Sequence, residues 1–443
     1  MRRILIVGGG YAGFYTAKKL EKHLARGEAE VTMVDPVPYM TYQPFLPEVA
    51  AGSIDPRHAI VDHRRHLKRT NVVTASVTRI DHASKQAEIT PAVGEPWMQE
   101  YDDVIVTAGA VTRTFPIPGV ADQAIGLKAI EEAMWIRDRL VGNFAKAANL
   151  PAGPERDRLL TVVVVGGGFA GIEIYAELRS FASALLGRYP GLSSDDVHFH
   201  LIEAMGRIMP EVSLKTAGWV IKNLEQRDAK IHLDTQLASA VDGKIELSTG
   251  ETFESDLIVW TAGVMAAPMI GKTTDLPTDQ RGRLTVQADL RVIDADGNVV
   301  PGAWGAGDVA AVPDLSGDSP LPDSTCVPNA QHAVRQGKRM AKNLAADIRG
   351  EKPVDYFHHY AGAVAGLGLY VGAFQYKKLG ITGLIAWFMH RGYHGFAMPM
   401  WERKARVFSN WIVNFFWKRD LVGIPARDEP RAAFASVAAR PKG

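Results

Sequence analysis

The chain has 443 residues, 47% hydrophobic and 22% charged, the balance of a globular protein with a large core and not of a disordered or collagen-like chain. Lys and Arg number 50 against 49 Asp and Glu, so the formal net charge is +1, far from the basicity of a protein that coats nucleic acid, and no nucleic-acid partner is expected. A single cysteine, Cys326, excludes an intramolecular disulfide, a Cys-based zinc or iron–sulfur centre and dithiol redox chemistry within one chain; no metal site is read from the sequence.

Met1-Arg2-Arg3 leads straight into a strand-like run, Ile4 to Val7, without the form of a signal peptide, so a reducing, cytosolic compartment is expected. A glycine turn follows, with Gly8, Gly10 and Gly13 in the pattern G-x-G-x-x-G, and then Ala17, Leu20 and Leu24 at helical spacing. A second strand, Val31 to Val34, ends at Asp35. The whole pattern then recurs. Thr161 to Val165 leads into Gly166, Gly168 and Gly171, a helix runs through Ile174 and Leu178, and a strand from Val197 to Ile202 ends at Glu203. Each half also has a strand ending in Thr-Ala-Gly, at Thr107-Ala108-Gly109 and at Thr261-Ala262-Gly263, which indicates a duplicated architecture. A turn-rich connection at Asn149 to Arg156 lies between the halves. Further on come Gly305-Ala306-Gly307-Asp308, a Pro/Asp/Ser loop, a helical run from Asn329 to Ile348, a strand-and-turn segment over 356–375, helices over 380–395 and 400–418, and a frayed end from Pro425.

G-x-G-x-x-G between a strand and a helix gives a tight turn, close backbone approach to a pyrophosphate, and a helix N-terminus that favours negative charge. The acid ending the next strand accepts hydrogen bonds from the adenosine ribose. Two such folds in one chain imply a cofactor pair, usually a retained FAD and an exchangeable NAD(P)H. The carboxylate of Glu203 would repel a ribose phosphate, which favours NADH over NADPH; Arg207, four residues on, opposes that preference.

The charge is uneven along the chain. From Lys377 to Arg427 there are nine Lys/Arg and two acids, with four of the nine Trp. Trp401, Ala405, Phe408, Ile412 and Phe415 form one stripe, Trp411, Phe416 and Trp417 widen it, and Arg403, Arg406, Asn410 and Asn414 lie off it. Such a helix lies in a bilayer interface, or packs on the body or on a second subunit with a solvated charged face. No stretch of about 20 predominantly apolar residues occurs, so no transmembrane helix is expected.

The order of motifs resembles the two-dinucleotide-fold flavoproteins and, within them, the type II (non-proton-pumping) NADH:quinone dehydrogenases. The resemblance is carried by Tyr42-Gln43-Pro44-Phe45-Leu46-Pro47, Tyr101 through Gly109 with Ile117-Pro118-Gly119, Leu127 to Arg137, Val259 to Val264, Gly305 to Asp308, and Ala330-Gln331-His332-Ala333. It implies an α/β fold of two Rossmann-like dinucleotide-binding domains plus a C-terminal membrane-associating segment. The expected boundaries are 1–115 and 271–350 for FAD, 116–270 for NADH, 351–425 for the membrane-interface segment and 426–443 for a disordered tail.

It further implies FAD contacts at Gly8, Gly10, Gly13, Asp35, Gln43, Gly109, Asp308, Ala330 and Gln331, and NADH contacts at Gly166, Gly168, Gly171, Glu203 and Gly263. Glu173 would act in hydride or proton handling, against the plain alternative of an acid favoured by the helix dipole. Gln331 and Gln336 would stand on the quinone side. There Arg335 occupies the place of the family's last Gln, and Gln336, one place along, is displaced by about 100° around the helix. His332 reads as structural before proton donor, and Cys326 as inert. The activity implied is hydride transfer from NADH to FAD, then two electrons to a membrane quinone, at the cytoplasmic face of the cell membrane. The family often forms dimers. The alternatives are a soluble NADH-dependent reductase of a protein carrier or oxygen, and a nucleotide-sensing flavoprotein without turnover. Disulfide and sulfide:quinone reductases of the superfamily need several cysteines and are excluded by one.

Overall fold

Parallel strands buried on both faces read as unbroken apolar runs, and the two central strands of this protein do so: Arg2–Val7 is buried from Ile4 onward and Thr161–Val165 throughout. The computed structural model describes all residues except 318, 320, 359–361, 425–430, 433 and 436–443. The expected tail, 426–443, therefore lies almost entirely outside the described residues. The chain divides into two compact units, 1–42 with 60–113 and 263–361, and 43–59 with 114–262 and 362–443.

The first unit is built on a six-stranded sheet in the order Arg291–Ile293, Val299–Gly305, Asp103–Val106, Arg2–Val7, Ala29–Asp35, Thr70–Thr74. All neighbours are parallel except the outermost pair, Arg291–Ile293 with Val299–Gly305. Helix Tyr11–His23 follows the first glycine turn and lies along helix Ala330–Ile348. Their approach is close enough that a Cβ on Gly337 would stand 2.4 Å from the Ala12 carbonyl oxygen.

The second unit repeats the plan with a five-stranded parallel sheet in the order Ala124–Ile125, Leu257–Trp260, Thr161–Val165, His198–Ile202, Ala229–His232. In each unit the strand before the glycine turn sits between the acid-terminated strand and the Thr-Ala-Gly strand. Helix Ile130–Ala147 buries Ile130, Ala133, Ile136, Leu140, Phe144 and Ala147 at steps of three and four. At its start the Glu132 carboxylate accepts from the N–H groups of Lys128 and Ala129 at 2.6 and 2.8 Å.

The expected boundaries need several corrections, beginning with 263–270, which belong to the first unit and not with 116–262. Residues 43–59 leave the first half and join the second unit, because Phe45, Leu46, Val49 and Ala50 are buried where helix Leu46–Ala50 meets helices Ile130–Ala147 and Phe169–Leu186. Residues 362–424 are part of that same unit and not a separate appendage. The helix expected over 380–395 is Leu384–Ala397, since Leu379–Thr382 is a strand completing a three-stranded antiparallel sheet with Ala363–Gly366 and Gly372–Tyr376.

Helix Trp401–Trp417 turns the reverse way from a plain packed amphipath. Its inward side carries Arg403, Val407, Asn410, Trp411 and Asn414. Arg403 donates to the Arg57 carbonyl, Asn414 to the Ser53 carbonyl at 2.6 Å, and Trp411 Nε1 to Glu48 at 2.8 Å. The apolar stripe faces outward, with Trp401 77%, Phe415 66%, Phe416 69% and Trp417 75% exposed. No helix among the described residues is long and apolar enough to cross a membrane.

Just past this helix, Arg419 is buried and its guanidinium lies 3.1 Å from the buried carboxylate of Glu177, with further bonds to Ser180 Oγ and the Glu177 carbonyl. Removing one member of a buried pair strands the other charge, at a cost of about 3–5 kcal/mol. Arg419→Met is therefore expected to lower the unfolding midpoint by roughly ten degrees, while Arg419→Met with Glu177→Gln loses clearly less. A double variant as unstable as the single would contradict the charge argument, and thermal denaturation followed by circular dichroism reads both.

Candidate functional site

In the first unit Gly8 has φ +97°, a left-handed conformation closed to most side chains, and a Cβ there would stand 2.6 Å from the Thr107 carbonyl oxygen. Gly13 packs so closely that its Cβ would meet the Gly8 oxygen at 1.8 Å. Gly10 is the exception: among the described residues no other contact lies within 4 Å of where its Cβ would be. It caps helix Tyr11–His23, which has no side-chain cap bond and no acid in its first turn. An uncapped helix N-terminus facing open space is where a phosphate fits. Asp35 closes the turn, its Oδ2 accepting from Gly9 N at 2.6 Å and its Oδ1 from Val37 N at 2.8 Å. A carboxylate has about four lone-pair sites, so each oxygen keeps capacity for a ribose hydroxyl. His63 donates from Nε2 to the Gly9 carbonyl at 2.9 Å, and its burial lowers its basicity, so it braces the turn as a neutral ring.

The second unit repeats this geometry atom for atom in kind. Gly166 has φ +109°, and a Cβ on Gly171 would meet the Gly166 oxygen at 1.8 Å. Gly168 has open space before it and caps helix Phe169–Leu186 without a side-chain bond or first-turn acid. Glu203 accepts from Gly167 N at 2.5 Å and Met205 N at 2.8 Å. Thr107 Oγ1 donates to the carbonyls of Val7 and Gly8, and Thr261 Oγ1 to those of Val165 and Gly166. The two threonines are thus fasteners of the turns, a role that the repeated Thr-Ala-Gly signalled. Gly109 and Gly263 have positive φ with open space beside them, and both flank the antiparallel pair Ala110–Thr112 and Val264–Ala266.

Asp308 follows the strand Val299–Gly305, on a small cavity lined also by Gly307, Cys326, His332 and Gln336. Gln336 is buried, and its Oε1 accepts from Gly307 N at 2.7 Å. The amide displaced around the helix from its expected place therefore holds the Asp308 loop. Ala330 opens helix Ala330–Ile348, which Asn329 caps by accepting from His332 N at 2.8 Å. Gln331 is half-buried, and its Oε1 accepts from Arg335 one turn later at 3.2 Å. His332 bonds Tyr356 at 2.9 Å, and burial lowers its pKa to about 4, consistent with a structural ring. Cys326 is buried, with its thiol pushed up to about 12, far from a thiolate nucleophile.

Glu173 is the fifth residue of helix Phe169–Leu186 and so sits in the second turn, beyond the helix-end acids that the dipole favours. It accepts from Gly366 N at 2.9 Å and lies 3.1 Å from His390 Nε2. Burial alone would lower His390, but the Glu173 carboxylate outweighs it and the ring is held raised. His394, with its ring centroid 4.7 Å from that of His390, is half-buried, and loss of solvent around its ring holds it well below the usual range. Beside them Arg391 pairs with Glu48 at 3.1 Å and is sandwiched between the indoles of Trp387 and Trp411 at 4.2 and 5.1 Å. Gln43 donates to the Lys128 carbonyl at 3.2 Å in the same unit. Sequence reading missed His390, His394, Glu48, Arg391, Glu177 and Arg419. The one available signal was Glu177, a carboxylate amid Ile174, Leu178 and Phe181 on a buried helix face.

The family described as pyridine nucleotide-disulphide oxidoreductase matches residues 2–337, which span both glycine turns and the Asp308 loop. The chain belongs to the pyridine nucleotide-disulphide oxidoreductase family. Unlike the family's disulphide-using members, it has no cysteine pair. Within the family it is similar to the type II NADH:quinone oxidoreductase of Staphylococcus haemolyticus, 28% identical over 396 residues that cover 88% of this chain and 93% of that protein. A Staphylococcus aureus protein of the same name is 28% identical over 402 residues, with the same coverage of both chains. In fold it is similar to the NDH2 of Plasmodium falciparum in complex with NADH, with a TM-score of 0.85 at 17% identity, covering 95% of this chain and 99% of that one.

Proposed function

We propose that the protein is a FAD-dependent type II NADH:quinone oxidoreductase, which oxidises NADH and reduces a membrane quinone by two electrons without pumping protons. The observation that carries this reading is the matched pair of complete dinucleotide turns in a chain whose one cysteine is buried and unreactive. Relatives named for that activity, covered along nearly their whole length, support it. FAD, bound at the first turn, would supply the acceptance of hydride and the release of electrons. Gly8, Gly10 and Gly13 would cradle its pyrophosphate, Asp35 its ribose, and Asp308, Ala330 and Gly109 its remaining contacts; Gln43, expected among them, belongs to the second unit. Gly166, Gly168, Gly171 and Glu203 would hold NADH in the same way; Gly263, expected with them, belongs to the first unit. Glu173, paired with His390, would act in hydride or proton handling on the nicotinamide side. Gln331 keeps its assignment to the acceptor. Gln336 we reassign to bracing the Asp308 loop.

Membrane attachment is the finer part of this reading. The outward Trp and Phe side chains of helix Trp401–Trp417, the cations around them, and the exposed Leu384, Ile385 and Phe388 of helix Leu384–Ala397 support an interfacial docking surface. Between these helices lies a groove of about 330 Å³, lined by Tyr370, Trp387, Phe408, Trp411 and Phe415 with Arg391 at its side, apolar enough to take the tail of a lipid-soluble acceptor. We place the protein on the cytoplasmic face. Because residues after 380 contribute a strand and buried helix faces to the second unit, truncation there is a poor test. Exposed substitutions serve better. Trp401→Ser with Ile385→Ser and Trp417→Ser, all exposed and outside the groove, removes side chains worth about 2 kcal/mol each on burial. Liposome co-sedimentation is expected to fall more than tenfold, while turnover with a water-soluble short-chain quinone stays near that of the parent. Unchanged liposome binding would overturn the assigned surface.

A further inference from the structure

Beneath the strand end that carries Glu203, two imidazoles and a carboxylate converge from three separate segments. His200 lies on His198–Ile202, His232 ends Ala229–His232, and Glu251 lies in the turn before Thr252–Glu254. In the parallel ladder Ile202 pairs with His232, and since side chains alternate along a strand, His200 and His232 share one face of the sheet. Their facing nitrogens, His200 Nδ1 and His232 Nε2, are 3.0 Å apart, and Glu251 Oε2 is 3.7 Å from His232 Nδ1. One donor atom from each residue can be chosen so that all three lie within 4.8 Å of one another. Neither the spacing in sequence nor any short motif announces the trio.

We propose that these residues form a binding site for a divalent transition-metal ion of the zinc class, with solvent completing the coordination. A tetrahedral ion with bonds of about 2.0–2.2 Å needs donor atoms about 3.4 Å apart. The two imidazole nitrogens stand near that edge length already. Glu251 is half-exposed just past the turn that ends at Gly250, so its carboxylate has the freedom to close the remaining distance. The ring of Phe253 stacks on that of His200 at 3.9 Å and fixes its plane. His200 is almost wholly buried, so its ring is held in place by packing. Lys230, opposite His200 in the ladder and exposed, is the cation that disfavours an ion here, and the charge of Glu251 offsets it. A plain hydrogen bond between the imidazoles leaves Glu251 only as a carboxylate beside His232 Nδ1, whereas an ion makes all three residues ligands.

An ion at this place would tie the antiparallel sheet of Leu237–Ser239, Lys244–Leu247 and Thr252–Glu254 to the parallel sheet. It would do so next to the nucleotide carboxylate, since Glu203 N donates to the His232 carbonyl at 2.9 Å. The test uses the full flavin-loaded chain, freed of metal with a chelator and titrated with cobalt(II). The expected result is one cobalt per chain with the strong visible bands of a four-coordinate ion, displaced by zinc, and a rise in the unfolding midpoint with zinc. His232→Gln is expected to weaken cobalt binding about 100-fold and Glu251→Gln about 10-fold, with flavin content unchanged in both. Absence of the bands in the parent chain, or equal binding by parent and His232→Gln, would overturn the site and leave the imidazole pair as a hydrogen bond.

Discussion

Gly171→Ala is expected to give a yellow protein that NADH no longer bleaches. Its Cβ would stand 1.8 Å from the Gly166 carbonyl oxygen, so the second glycine turn must open and the helix behind it must shift. A displacement of about 1 Å in a positioning element costs on the order of 100-fold in rate, and this one acts where the nucleotide's phosphates would lie. The first turn, in the other unit, keeps its own Gly8, Gly13 and Thr107 contacts, so flavin content should match the parent and dithionite should still reduce it. Gly13→Ala reverses the outcome. The same 1.8 Å clash then falls in the first turn, and the purified chain should be colourless. Gly168→Ala sharpens the comparison, because a Cβ there meets nothing of the protein within 4 Å. It should fold with the parent's stability and still lose NADH reduction. If Gly171→Ala loses flavin while Gly13→Ala keeps it, the assignment of the two turns is reversed.

Glu203→Ser is expected to lower kcat/KM for NADH by about 10- to 100-fold and to narrow the gap to NADPH. The lower figure corresponds to losing one charge-assisted hydrogen bond, worth about 1.5–3 kcal/mol. The carboxylate holds two backbone N–H groups, at Gly167 and Met205, so the loop beyond it also loosens. Arg207 does not stand ready as a counter-charge for a ribose phosphate, because its Nη2 already donates to the carbonyls of Val212 and Met209 at 2.6 and 3.4 Å. Selectivity should therefore rest on Glu203 with little opposition from Arg207. Steady-state kinetics with both nucleotides read the change, and an unaltered NADH to NADPH ratio in Glu203→Ser would remove Glu203 from its role.

The glycine turns were legible because their constraints are local. Gly8, Gly13, Gly166 and Gly171 are where a Cβ cannot go, and Asp35 and Glu203 are fixed by the strand ends that carry them. The interleaving of units was not legible. Nothing near Leu46 or Val49 says that their helix is buried against helices Ile130–Ala147 and Phe169–Leu186, some hundred residues away in sequence. The orientation of helix Trp401–Trp417 stayed open in the sequence for a related reason. Periodicity finds the apolar stripe, but Glu48, Ser53 and Arg57 capture the polar side of the helix by hydrogen bonds, and the stripe is left outside. Gln336 shows the limit of a motif, since a shift of one residue around the helix moved its amide onto Gly307. The pairs Glu173–His390 and Glu177–Arg419 join residues far apart in the chain, and burial gives them their importance.

The measurement that bears most directly on the whole account is an anaerobic titration of the purified, flavin-bound chain with NADH, followed by a short-chain quinone. Bleaching of the flavin band by one equivalent of NADH, and full return of colour on adding one equivalent of quinone, is the expected result. A flavin band that NADH leaves unchanged, or a bleached protein that quinone fails to reoxidise, would contradict it.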